Sequence, residues 1–311
     1  MSLRAFFEAH RSSFQGSIEF EAPLSKSTYY RIGGAAEVLV TPKSSNGDFG
    51  DLELIHRALR ETGARVFLLG WGSNLLFSDE GFHGLVVRMK HLFTGLDEKE
   101  AGVLRVGASV GGSTLLRKAQ DRGYGGLHHL TGIPGSIGGM VAMNAGTHLG
   151  EMKASCLRVR SVNLREPSLS VREHSMSDAS FSYRHNHFLA PDDLVIDTEL
   201  GYREEDPAQV KTQIDELYRR RKETQPVDYP SCGSVFMNPR ESGLHAWQVI
   251  DRLGLRGHRI GDAQFAEKHS NFIINLGAAR ASDVKALIAL AKQRALDELG
   301  ITLKEEVKIV E

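Results

Sequence analysis

The strongest constraint on the fold is the stretch 131–150, TGIPGSIGGMVAMNAGTHLG, which joins many backbone-enabling residues to almost no charge. It reads as a loop built to touch a ligand. Gly132, Gly135, Gly138 and Gly139 lack Cβ atoms, so several N–H groups can turn toward one anion without steric penalty. Pro134 fixes its own φ and holds the turn open. A lone glycine pair usually does no more than connect two elements. A second loop changes that reading, because GWGSNLL at 70–76 follows RVFLL at 65–69, an apolar run of strand length. Two such loops can clamp a pyrophosphate from both sides. Neither is a standard nucleotide fingerprint: Gly70 and Gly72 begin a G-x-G with no glycine three residues on, and the P-loop pattern is missing.

At 311 residues, 41% hydrophobic and 25% charged, the chain can bury two or three compact units. A formal net charge of -1 gives no basis for binding nucleic acid or an anionic membrane. Cys156 and Cys232 make no metal or disulfide spacing, which points to a reducing compartment. The N-terminal residues lack a signal-peptide pattern, and no window approaches the roughly 20 apolar residues of a membrane span. A cytoplasmic location without membrane insertion is therefore expected. Oligomeric state is left open, a monomer being compatible.

Residues 20–42 read as extended around a turn at RIGG. Leu52, Ile55 and Leu59 form a helical stripe ended by Gly63, and strands follow at RVFLL and 85–87. After strand VLRV at 103–106 comes a helix capped by Ser113 and closed by Gly123. Leu157, Val159 and Ser161 alternate with Arg158, Arg160 and Val162 along a strand, and 194–200 is another. Asp206 and Pro207 open a helix with the stripe Val210, Ile214, Leu217. The two prolines of QPVDYP read as a linker. Beyond it come a short helix at 246–253, strand NFIIN at 271–275, a long helix capped by Ser282 and ended by Gly300, and a strand at 303–309. The expected division is 1–89, 90–224 and 225–311.

Several residues invite chemistry. Ser234, in SCGSVFMNP, suits an acid or a nucleophile, although the G-x-S-x-G elbow is absent and a structural turn is the plainer reading. Arg184, after Tyr183, can grip a carboxylate or phosphate with two parallel hydrogen bonds, whereas most arginines are simply solvated. Glu306, between Lys304 and Lys308, reads first as a surface ion pair. His128, His129, His185 and His187 lack a third ligand at a supportive spacing, so no metal is expected.

In order along the chain, TYYRIGG, GWGSNLL, GIPGSIGG, MNAG, YRHN, QP, SCGSVFMNP and LKEEV resemble the UDP-N-acetylenolpyruvoylglucosamine reductase family. The span from Arg184 to Gln225 is short, like the form lacking a long substrate-capping insertion. The resemblance implies an α+β fold: a two-subdomain FAD-binding domain of the vanillyl-alcohol-oxidase type (1–89 and 90–224), then a C-terminal α+β substrate-binding domain (225–311). It implies NADPH-dependent, FAD-mediated reduction of UDP-N-acetylglucosamine enolpyruvate to UDP-N-acetylmuramate in peptidoglycan precursor synthesis. The FAD would be non-covalent and NADPH a co-substrate.

By the same resemblance Ser234, Arg184 and Glu306 are catalytic, with Ser234 giving a proton to C2 of the enolpyruvyl group. Gly70, Gly72, Ser73, Asn74 and Leu75, with Gly132, Ile133, Pro134, Gly135, Ser136, Gly138 and Gly139, would contact the cofactor. Tyr183, Asn238, Lys268 and His269 would contact the UDP-sugar. Trp71, Asn186 and Thr147-His148 depart from the family's usual residues. Two other classes compete: an FAD oxidase of the same domain type acting on an alcohol or sugar, and a non-catalytic flavin-binding homologue.

Overall fold

In the computed structural model the described residues are 1–44 and 49–311. They divide into two compact units, one of 1–20, 38–71 and 83–220, the other of 21–37, 72–82 and 221–311.

Among the described residues the first unit holds two large apolar cores. One gathers Phe6, Phe7, Val38, Val40, Leu52, Ile55, Leu59, Leu85 and Val87. Helix α1 (Leu3–Ala9) and helix α2 (Asp51–Thr62) supply its helical faces. The expected stripe Leu52, Ile55, Leu59 is buried, and Gly63 closes α2 in the left-handed conformation. The associated sheet runs Ser17–Pro23, Ala35–Thr41, Phe82–Arg88, Val66–Leu69. Its last pair is parallel, with Val66 opposite Leu85. Residues 20–42 are thus not continuously extended, because a 3-10 turn, Leu24–Ser27, interrupts them.

The second core lies on a five-stranded sheet ordered Arg172–Ser175, Cys156–Asn163, Asp193–Gly201, Val103–Gly107, Leu96–Glu100. Every neighbouring pair in it is antiparallel. Helix α3 (Gly112–Arg122) packs Leu115, Leu116 and Ala119 into this core. Its N-cap is Gly111 rather than the expected Ser113, which sits inside the first turn, while Gly123 closes it as expected. Leu157 does not share the inward face of Val159 and Ser161: a register shift between Cys156 and Arg158 turns it out to 47% exposure.

The stretch 131–150 is only partly loop. Residues 132–135 are irregular, helix α4 (Ile137–Ala142) follows, and a two-residue pairing joins Gly146–Thr147 to Gly150–Glu151. Ile137, Met140 and Val141 explain the helix, since they bury one apolar face. Helix α5 (Pro207–Thr224) buries Val210 and Ile214, and Asp206 accepts the Ala208 N–H at its start.

The main core of the second unit is built from Tyr30, Ile32, Leu76, Val235, Phe236, Phe265, Ile273, Val284, Leu287, Leu303 and their neighbours, and a smaller cluster gathers Ala266, Phe272 and Ile274. Its sheet is antiparallel, Ser231–Ser234, Phe272–Asn275, Ala263–Phe265, Arg259–Ile260. Helix α6 (Ala246–Arg252) and helix α7 (Ala281–Leu299) cover it. Gly300 ends α7 as expected, but Ser282 does not cap it. Asp79 does so, its two carboxylate oxygens accepting the Ala281 and Ser282 N–H groups at 2.7 and 2.9 Å. The last strand is shorter than expected, Lys308–Val310, and pairs in parallel with Leu75–Phe77.

Candidate active site

The candidate residues are distributed over both units. In the first, Gly70 approaches the glycine-rich stretch so closely that a Cβ there would stand 2.6 Å from Ser136 Oγ. Ser136 caps α4 through Gly139 N–H. Gly135 takes φ 138°, a conformation suited to glycine, while its carbonyl accepts Gly112 N–H at 3.0 Å. Gly138 and Gly139 lie inside α4, and Gly132, Ile133 and Pro134 form the bend before it. Trp71 lays its ring against Gly111, which has no Cβ to obstruct it.

These loops fit a dinucleotide cofactor on the structure's own terms. The carbonyls of Ala108 and Val110 accept the N–H groups of Gly138 and Ile137, which fixes Ser109 alongside the glycine stretch. The hydroxyls of Ser109 and Thr131 are buried without a hydrogen-bond partner among the described residues. Two orphaned buried donors beside the 132–139 stretch suit phosphate oxygens, because leaving such groups unpaired is costly.

Arg184 also belongs to the first unit. It has positive φ, 58°, and its guanidinium lies 5.0 Å from the Tyr183 ring. Nη2 donates to Gly146 O at 3.0 Å, and Nη1 stands 4.0 Å from Glu151 Oε1. The side chain is 15% exposed, so it is held rather than simply solvated. Asn144 organises this corner: fully buried, it donates to Glu151 Oε2 and to Ser182 O and accepts Lys153 N–H. Asn144 is the asparagine of the MNAG motif, and its bonds tie that motif to Glu151 and Ser182 beside Arg184. The departures find local partners: Asn186 donates to Ala142 O, and Thr147 donates to His129 O.

The division between units falls inside the 70–76 loop, so Gly72, Ser73, Asn74 and Leu75 belong to the second. Gly72 O accepts Tyr29 N–H. Asn74 Nδ2 donates to Glu306 O at 3.0 Å, tying that loop to the glutamate's backbone. Ser234 ends its strand just after Gly233, and Glu306 N–H donates to Val235 O at 2.8 Å. Asn238 Oδ1 accepts Ala246 N–H at the start of α6, and Lys268 Nζ donates to Lys222 O. His269 stands edge-on to Phe272, and burial lowers its pKa. Both cysteines are free and buried, burial pushing the thiols up to about 11 for Cys156 and about 12 for Cys232. The structure thus brings Gly70 to Ser136 and Asn74 to Glu306; Arg184 lies in the first unit, Ser234 and Glu306 in the second.

Residues 225–310 match the C-terminal domain of UDP-N-acetylenolpyruvoylglucosamine reductase, and residues 36–167 match an FAD binding domain. A UDP-N-acetylenolpyruvoylglucosamine reductase of Geobacter metallireducens is 37% identical over 308 residues, covering 96% of each chain. The chain belongs to the UDP-N-acetylenolpyruvoylglucosamine reductase family. Another member, from Anaeromyxobacter sp., is 38% identical over 93% of this chain and 84% of its own. The solved reductase from Thermus caldophilus superposes with a TM-score of 0.78 at 33% identity, covering 96% of this chain and 100% of that one. The expected α+β organisation, an FAD-binding domain followed by the reductase family's C-terminal domain, is borne out. Among the described residues no helix is long and apolar enough to cross a membrane.

Proposed function

We propose that this family member reduces UDP-N-acetylglucosamine enolpyruvate to UDP-N-acetylmuramate with NADPH, in the cytoplasm, as a step of peptidoglycan precursor synthesis. It is an FAD-dependent oxidoreductase. The observation that carries the reading is identity of 37% along 96% of the chain to a reductase of that name. When bound, FAD supplies the two-electron relay between NADPH and the enolpyruvyl double bond. Segments 1–89 and 90–224 serve as the FAD-binding subdomains and 225–311 as the substrate-binding domain.

The chain's own residues bind, orient and protonate. Residues 70–75 and residues 132–139 would hold FAD through backbone N–H groups, the latter stretch together with the Ser109 and Thr131 hydroxyls. Negative charge develops at C2 and the neighbouring carboxylate, so the Arg184 guanidinium stabilises the transition state more than the ground state. Ser234 delivers the proton to C2, a task that requires its hydroxyl within hydrogen-bond reach. Glu306 bears on the same carbon. Tyr183, Lys268, His269 and the Asn238 amide serve the UDP-sugar.

The test is anaerobic stopped-flow absorbance at the flavin band, with NADPH added first and the enolpyruvyl nucleotide second. Bleaching followed by recovery is expected. Bleaching without recovery would overturn the substrate assignment, and the lack of any flavin band after reconstitution with FAD would overturn the whole reading.

A further inference from the structure

We propose that Asn271 is a positioning residue that sets the Ser234 hydroxyl and the Glu306 backbone in one register. The inference rests on the reading of Ser234 as proton donor. The strand Ser231–Ser234 pairs with Phe272–Asn275, Ser231 opposite Ile274 and Ser234 opposite Phe272, with the register broken between them. Gly233 takes φ 81° at that break. Regular pairing therefore ends where the proposed acid stands.

Beyond it, Asn271 replaces the missing strand partner. Its backbone carbonyl accepts Val235 N–H at 2.8 Å. Its side-chain Oδ1 accepts Phe236 N–H at 3.0 Å, and its Nδ2 donates to Phe236 O at 2.9 Å. One residue thus satisfies three of the four backbone groups of Val235 and Phe236, directly after Ser234. On the other side Val235 O accepts the N–H groups of Glu306 and Val307, Met237 N–H donates to Lys304 O, and Phe236 bridges Glu305. Val235 is bonded through its N–H to Asn271 and through its carbonyl to Glu306.

Val235, Phe236 and Asn271 are at most 4% exposed, so water cannot replace these bonds when one is lost. Glu306 O is held in turn by Asn74 Nδ2. A carboxamide offers a donor and an acceptor on one rigid plane, which matches the N–H and C=O of a single residue. An apolar residue at 271 would fill space and leave both groups of Phe236 unpaired. The segment that carries Ser234 would then settle elsewhere, and a shift of about 1 Å in a reacting group costs on the order of 10²-fold in rate.

The variant to make is Asn271→Asp, nearly isosteric, which keeps the acceptor for Phe236 N–H and removes the donor to Phe236 O. Asn271→Ala is the second, removing both without adding charge. Each is loaded with FAD and carried through both halves of the anaerobic stopped-flow experiment, beside Ser234→Ala and the double variant Ser234→Ala/Asn271→Asp. The expected result is bleaching by NADPH within about twofold of the unmodified enzyme, with recovery on the enolpyruvyl nucleotide slowed on the order of 10²-fold. The substrate concentration giving half the maximal rate should stay within about threefold, and the double variant should be no slower than Ser234→Ala. Equal slowing of both halves, unchanged recovery, or a double variant slowed by the product of the single effects overturns the proposal. Failure of both Asn271 variants to fold with FAD also overturns it, because the role is then structural. Failure of the underlying reading looks different: Ser234→Ala alone would recover at the unmodified rate, and the proposal would fall with it.

Discussion

Two alanine substitutions in the first unit separate the cofactor loops from the scaffold that carries them. At Gly70 the added methyl would stand 2.6 Å from Ser136 Oγ, well inside van der Waals contact, and no positive φ adds strain. The hydroxyl is the movable partner, and turning it away breaks its cap on Gly139 N–H. An N-cap is worth about 1 kcal/mol, and a loss of that size at the cofactor loop is about a fivefold change in affinity. At Gly63 the situation is reversed: φ is 66° and nothing lies within 4 Å of the methyl, so the cost is backbone strain alone. That strain is about 1 kcal/mol of stability at a site away from both loops. The assay is FAD titration of the apoprotein by flavin fluorescence, with thermal unfolding of the apoprotein in parallel. Gly70→Ala should weaken FAD about fivefold or more, while Gly63→Ala should lower the melting temperature by roughly 2–4 °C and leave FAD affinity unchanged. An FAD affinity of Gly70→Ala within twofold of the parent would refute the two-loop clamp.

Ser234→Ala should leave NADPH-driven bleaching intact and slow recovery on substrate by about 10²- to 10⁴-fold, the worth of positioned acid catalysis, read in the same stopped-flow trace. Arg184→Lys should slow that recovery about tenfold or more, because an ammonium cannot reproduce the planar fork; equal rates would mean the guanidinium touches nothing that matters. Asp51→Ala removes the acceptor for Gln15, Gly16 and Lys43 N–H at 2.7, 2.8 and 2.8 Å, and should cost about 3 kcal/mol, seen as a lower urea midpoint. His129 is held neutral, its pKa lowered by burial from 6.5 to about 4. The unfolded chain takes up its proton first, so this contribution to stability is whole above pH 6.5 and lost as pH falls toward 4. Melting curves over that range should slope less for His129→Gln than for the parent.

Helix stripes and glycine ends were legible in the sequence because both are local. Leu52, Ile55 and Leu59 bury together, and Gly63, Gly123 and Gly300 all close helices in the left-handed conformation. The start of α7 was not legible, since its partner is Asp79, 202 residues earlier, and no local pattern around Ser282 points there. Leu157 failed for another reason: alternation assumes an unbroken ladder, and the register shift between Cys156 and Arg158 turns Leu157 away from the face that Val159 buries. At the site, the glycines announced themselves by composition, whereas Asn144 and Asn271 act through buried bonds to distant backbone. An asparagine reads alike in a turn and in such a clamp, so only the folded chain separates the two.

The bond from Asn74 to Glu306 closes a loop of 232 residues. During synthesis the second half of the 70–76 loop therefore emerges long before the strand Lys308–Val310 that pairs with Leu75–Phe77. Until that strand arrives, the edge at Leu75–Phe77 is an open template and Asn74 lacks its carbonyl. A chain without Lys308–Val310 would leave that edge exposed. Contacts of such high sequence separation form slowly, so this parallel pairing is expected to follow the helices in folding.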